Sequence, residues 1–189
     1  MSSILIAGSN VQSGAYLLRI AVRKSCRVVF GRYGDGQQVP VRAGVYVYVG
    51  SAMGRNGPAS LAPRLLRHAS RSQGQPPHAI RADMLRHFER LGLGRLPRRP
   101  PRQKSLHWHV DYLLDLPEAA LTHAIVLRCL QPLEELVADL LLADLQCLPL
   151  APGLGASDAP GHSHLICGKE DRAWWLSLFR RTRTLCEEG

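Results

Sequence analysis

The stretch Gly44-Val45-Tyr46-Val47-Tyr48-Val49-Gly50-Ser51-Ala52 constrains this chain more than any other. β-Branched and aromatic residues alternate between two glycines, which spells a β-strand with a tight exit. Period-two geometry puts Val45, Val47 and Val49 on one face. Tyr46 and Tyr48 share the other with the bare backbone of Gly44 and Gly50. The valine face suits a core. The tyrosine face suits either a half-buried strand with phenols at its wet edge or a surface that something approaches closely.

The flanking segments supply the rest of the frame. Residues 13–22 read as a strand opened by a glycine, and residues 27–30 as its return across a turn at Arg23-Lys24-Ser25. With a second turn at 31–36 leading into the tyrosine strand, the expected arrangement is a three-stranded antiparallel meander. A glycine-rich loop at 53–58 precedes a helix with Ser60 at its N-cap and Pro63 in its first turn. On that helix Arg64, Arg67, His68 and Arg71 fall at i, i+3, i+4 and i+7, forming one basic stripe, while Leu61, Leu65 and Ala69 face a core. The stripe repels itself unless an anion sits on it or water solvates it. Residues 78–91 form a second amphipathic segment.

Residues 92–104 carry Arg95, Arg98, Arg99, Arg102 and Lys104 among prolines and glycines. They are expected to be a mobile basic insert, able to grip phosphates or to act as a solvated linker. Residues 106–116 look strand-like, so His107, His109 and Asp111 would share a face, poised for a metal, a phosphate or a structural hydrogen-bond network. A strand is expected at 122–127. Pro132 opens a helix with Glu134 and Glu135 in its first turn, where the helix dipole favours acids, and with Leu133, Leu136, Val137, Leu140 and Leu141 on its apolar face. The loop at 152–161 leads to a short strand at 162–166 and a closing helix at 170–180.

At 189 residues the chain has room for one well-cored domain with additions. Twenty-four Lys plus Arg against fifteen Asp plus Glu give a net charge of +9, which attracts polyanions, nucleic acid foremost. No apolar run reaches the roughly 20 residues of a membrane span, so no membrane partner is expected. Residues 1–12 lack the positive start of a secretory signal and are expected to form a tail or an added edge strand. Five scattered cysteines without a C-x-x-C pair point to a reducing cytoplasm and not to a disulfide framework.

Taken in order, these pieces resemble the GIY-YIG nuclease superfamily, and more closely its DUF123 branch. Gly14-Ala15-Tyr16 stands for the first motif, Tyr48-Val49-Gly50 for the second, and Arg64 with His68 for the R-x-x-x-H of the following helix. The run from His107 to Leu113, the helix start at Leu133-Glu134 with Val137-Ala138, and Gly155, Ser157, Asp158, Ser163, His164 and Leu165 match branch signatures. Where that loop usually carries three cysteines, this chain has Ala156, Ala159 and Gly161.

The resemblance implies an α+β domain over residues 13–168, a small antiparallel sheet flanked by helices, with a C-terminal helix and tail over 169–189. It implies hydrolysis of DNA phosphodiesters with Mg2+ (or Mn2+), and a DNA-repair setting by association. Tyr48 would orient or deprotonate the attacking water with Tyr16 beside it. Arg64 would neutralise phosphate charge, His68 would assist proton transfer or hold Tyr48, and Glu134 would ligate the metal. Arg67, Arg71, Arg98, Arg99, Arg102 and Lys104 would hold nucleic acid. His107, His109, Asp111, Asp158 and His164 are secondary candidates. Two alternatives stay open: a nucleic-acid-binding module without turnover, and a metal site built from the His and Asp residues.

Overall fold

The alternation between the two glycines does form a strand, β5 (Gly44–Ala52), and its antiparallel partner is β2 (Gly14–Val22), in register from Gly14 opposite Ala52 to Val22 opposite Gly44. The computed structural model describes residues 2–94, 96–101, 103–155 and 163–187. On the other edge of β2 lies β6 (Ala119–Arg128), also antiparallel. The edge strand β1 (Ile4–Gly8) runs parallel to β6, and β7 (Leu165–Cys167) pairs antiparallel with β5. The order is β1-β6-β2-β5-β7. The fold is α+β, but the sheet is mixed and five-stranded where a small antiparallel one was expected.

The expected meander is also corrected. The segment β3 (Cys26–Val29) pairs with β4 (Gln38–Val41) in a separate hairpin and never touches the ladder of β2. The reason is burial. Six of the nine residues of β2 and five of the nine of β5 belong to one of two cores, so both strands need partners on both edges. In contrast β3 is exposed on alternate residues and serves as a cover.

Helices coat both faces of the sheet. Tyr16, Leu18, Ile20, Tyr46 and Tyr48 point to one side, where they meet α1 (Leu61–His68), α2 (Ile80–Arg90), α3 (His109–Leu114) and the hairpin. Ala15, Leu17, Val47, Val49, Ile125 and Leu127 point to the other, under α4 (Glu134–Leu142) and α5 (Arg172–Glu187). The tyrosine face is therefore interior. Among the described residues no helix is long and apolar enough to cross a membrane.

The segment around His109 is helical where alternation suggested a strand. The Asp111 carboxylate accepts the backbone N–H groups of His107 (3.1 Å) and Trp108 (3.3 Å), as an acid in a first helical turn does. That local bond, with Val110, Leu113 and Leu114 all buried at helical spacing, overrides the period-two pattern. On α4, Leu133, Val137 and Leu141 are buried as expected, whereas Leu136 is exposed. The closing helix runs on to Glu187.

His78 joins the layers. Its Nε2–H donates to the Leu114 carbonyl (3.0 Å), and its Nδ1 accepts the Leu121 N–H (3.2 Å). A second ring proton would face that N–H, and burial together with the Arg71 charge depresses the imidazole to about 4. A histidine that folds neutral and unfolds free to charge stabilises the protein above its unfolded pKa, and that contribution is lost as pH falls toward the folded one. The gap in unfolding free energy between wild type and His78→Gln, measured by urea titration, should shrink by roughly 2 kcal/mol between pH 7 and pH 5.

Candidate active site

Pairing places Tyr16 of β2 directly opposite Gly50 of β5. A Cβ at Gly50 would stand 2.6 Å from the Tyr16 hydroxyl, so glycine is what lets this phenol lie across the neighbouring strand. Tyr48, on the same face, has its ring centroid 6.3 Å from that of Tyr16. At this end of the sheet the first residue of α4 swings a carboxylate round the edge, and the Ser51 hydroxyl donates to Glu134 Oε2. On the opposite layer α1 offers Arg64. Its guanidinium carbon lies 4.1 Å over the Trp108 ring, and its buried Nε has no hydrogen-bond partner.

These groups line one cavity of about 330 Å³, bounded by Tyr16, Tyr48, Ser51, Arg64, His107, Trp108, Glu134 and Gly155. A larger cavity, of about 490 Å³, lies between α1 and the insert. Its walls are mostly proline and leucine, with arginines but no carboxylate, imidazole or phenol, so of these two the smaller cavity holds the acid–base groups.

His68 is completely buried behind Tyr16. The Tyr16 hydroxyl meets His68 Nε2 at 2.9 Å, and His68 Nδ1 meets Asp111 Oδ1 at 3.1 Å. The resemblance implied that His68 would assist proton transfer or hold Tyr48; the hydrogen bond goes to Tyr16. Burial raises both phenols above their ordinary range, and the nearby Arg64 charge pulls the other way. Burial lowers His68, against the pull of Asp111. Burial pushes the Asp111 carboxyl up, but the bond from His68, the charges of His68 and Lys104 and the His107 N–H outweigh it and hold the group well below the carboxylate range.

Asp111 is an anion for part of the basic stripe of α1, meeting His68 and Arg67. Besides His68 and two backbone N–H groups, it receives Lys104 Nζ at 3.1 Å and faces Arg67 at 3.9 Å. The expected surface for nucleic acid is correspondingly reduced. Lys104 is buried, bonded to Asp111 and to the Ser70 carbonyl (2.9 Å). Arg71 turns inward to the carbonyls of Leu114, Leu116 and Ala119, the last at 2.6 Å. Arg67 leans over Trp108 and donates to the Ser105 carbonyl. Arg98 is exposed and paired with Glu89, and Arg99 is exposed.

Nor is the described part of the insert a loose linker. Buried Arg81 grips it through the carbonyls of Arg98 (2.8 Å) and Pro97 (2.5 Å), while Lys104 anchors its far end. Arg102 and Asp158 lie outside the described residues.

The His and Asp metal site does not assemble. His107 lines the cavity, His109 Nδ1 accepts the Gly155 N–H (3.1 Å), Asp111 is buried with His68, and His164 lies against Glu134. Among the described residues no three His, Cys, Asp or Glu side chains could hold a metal together. Helical geometry sends these side chains to different neighbours, where a strand would have aligned them. His164 Nδ1 stands 2.9 Å from Glu134 Oε1, within ion-pair distance but off the line of a hydrogen bond.

The family model described as "Domain of unknown function DUF123" matches residues 15–183. The chain belongs to the DUF123 family. The match takes in every strand of the sheet but β1 and runs into α5, so the cavity lies wholly within the DUF123 domain. No curated protein and no solved structure matches the chain.

Sequence reasoning missed Trp108 and Ser51; a structural hydrogen-bond role was among the readings open for Asp111, but its partners His68 and Lys104 were not foreseen. The self-repelling stripe on α1 was the available signal, since it demanded an anion and Asp111 was within reach of the same reading. Removing one partner of a buried ion pair typically costs about 3–5 kcal/mol. Lys104→Ala should therefore lower the unfolding free energy by that order in urea titration. A lysine serving only to hold nucleic acid at the surface would change it by less than about 0.5 kcal/mol.

Proposed function

We propose that this DUF123 protein is a divalent-metal-dependent phosphodiesterase acting on nucleic acid, an endonuclease of the GIY-YIG kind, with DNA as its first substrate. One observation supports the reading above the others: two phenols, an arginine with an unpartnered Nε and a single carboxylate line one cavity. A phosphate is the ligand whose charge and oxygen geometry answer that set. The net charge of +9 favours a polyanionic substrate.

The donor set also fits a hard cation. Mg2+ is held by one or two carboxylates plus substrate oxygens and water, and Glu134, with its side chain 24% exposed, is the carboxylate of this cavity. When bound, such a cation supplies Lewis-acid neutralisation of the phosphate. Ser51 holds the Glu134 side chain by a hydrogen bond, and His164 stands beside it. Arg64, braced on Trp108, points its guanidinium at the same space, where it would bind a phosphate oxygen and stabilise the negative charge that builds during in-line attack. Tyr48 orients the attacking water, and the walls of Trp108 and His107 limit solvent around it.

Purified protein with Mg2+ or Mn2+ should nick supercoiled plasmid, and Arg64→Ala and Glu134→Ala should each lower the rate by about 10²–10³-fold. Tight binding without nicking, with log affinity falling as log salt rises, would select a binding module on the same scaffold. Undiminished nicking by both variants would remove this cavity from the chemistry.

A further inference from the structure

The phenols of this site are poor bases. Both are buried and raised above an ordinary value that already lies well above neutrality. A phenol can nevertheless pass a proton on if it gives up its own at the same moment, and the hydrogen bonds behind Tyr16 allow this.

An ionised carboxylate can only accept, so the 3.1 Å contact between Asp111 Oδ1 and His68 Nδ1 places the ring proton on Nδ1. A neutral His68 then presents a lone pair at Nε2, 2.9 Å from the Tyr16 hydroxyl, which must be the donor. Tyr48 has its ring 6.0 Å from that of His68 and no such bond. Asp111 itself is held ionised and fixed in place by Lys104 and by two backbone N–H groups.

We propose that Asp111 is a positioning residue that fixes the tautomer of His68, so that Tyr16 is the phenol through which the attacking water loses its proton. The inference rests on the phosphodiesterase reading of the cavity. In the step, an O–H bond of water breaks and its oxygen bonds to phosphorus while the P–O bond to the leaving sugar oxygen breaks. The water proton passes to Tyr16 Oη as the phenolic proton passes to His68 Nε2. The resulting imidazolium is stabilised by the Asp111 carboxylate, as in the Ser-His-Asp arrangement of serine proteases. The leaving oxygen takes a proton from solvent, and His68 returns its extra proton through Tyr16. The groups facing His68 are Tyr16 from β2, Tyr48 from β5, Asp111 from α3, Lys104 ahead of α3, and Arg64 and Arg67 on its own helix, with the Trp108 ring 5.3 Å away.

The test uses the full chain labelled with 15N. Long-range proton–nitrogen correlation of the His68 ring should show the neutral form with the proton on Nδ1. Asp111→Asn should shift the ring toward the Nε2–H tautomer and lower kcat for plasmid nicking by about 10²–10⁴-fold, with KM unchanged. Because that variant strands Lys104, the charge-neutral pair Asp111→Asn with Lys104→Gln is measured alongside, its fold checked by circular dichroism. It should show the same tautomer shift and the same loss. Tyr16→Phe should lose nicking while leaving the tautomer unchanged. An unaltered tautomer in the folded double variant, or a nicking rate within twofold of wild type, overturns the proposal. A shifted tautomer in a protein that cleaves no nucleic acid supports the role of Asp111 and overturns the phosphodiesterase reading instead.

Discussion

The carboxylate of Asp111 is the point on which the tyrosine layer of this protein depends. It is fully buried, and it gathers an imidazole from α1, an ammonium from the end of the insert and two backbone N–H groups from the start of α3. An isolated charge in such surroundings would cost several kcal/mol. With this set of donors it becomes a clamp that joins α1 to the end of the insert and the start of α3, and it lies beside the charge of Arg67. The same clamp turns His68 Nε2 toward the Tyr16 hydroxyl, so the packing and the proposed proton transfer would draw on the same atoms.

The sheet explains why the cavity is where it is. Both faces of β2 and β5 are covered, which leaves no open surface for a substrate over the middle of the strands. What remains is the end of the ladder, where Gly50 leaves space for a phenol and Ser51 meets the helix start at Glu134. Helices α1 and α4 lie on opposite sides of the sheet, so a guanidinium from one and a carboxylate from the other can converge only at that edge.

Much of the element content was legible. The strands at residues 14–22 and 44–52, the 122–127 part of β6, and the helices α1, α2 and α4 follow from alternation, capping chemistry and apolar periodicity, all of which act over a few residues. Two errors have different origins. The hairpin of 13–22 with 27–30 was inferred from closeness in sequence, yet β2 takes β5 and β6 as partners because its two faces are both buried. The strand at 106–116 was inferred from alternation, yet a single carboxylate bonding backwards to two N–H groups turned it into a helix. Local pattern cannot weigh burial contributed by residues a hundred positions away.

The residues of the cavity divide the same way. Sequence alone determined which chemistries were present: phenols between glycines, arginine and histidine at helical spacing, and an acid at a helix start. These are properties of residue type and short-range geometry. Only the tertiary structure decided the partners: that His68 bonds Tyr16 and not Tyr48, that Lys104 and Arg71 turn inward, and that the histidines at 107 and 109 separate. Those choices depend on which side chains are brought together from afar and on how completely water is removed, because in a dry interior each donor must find an acceptor.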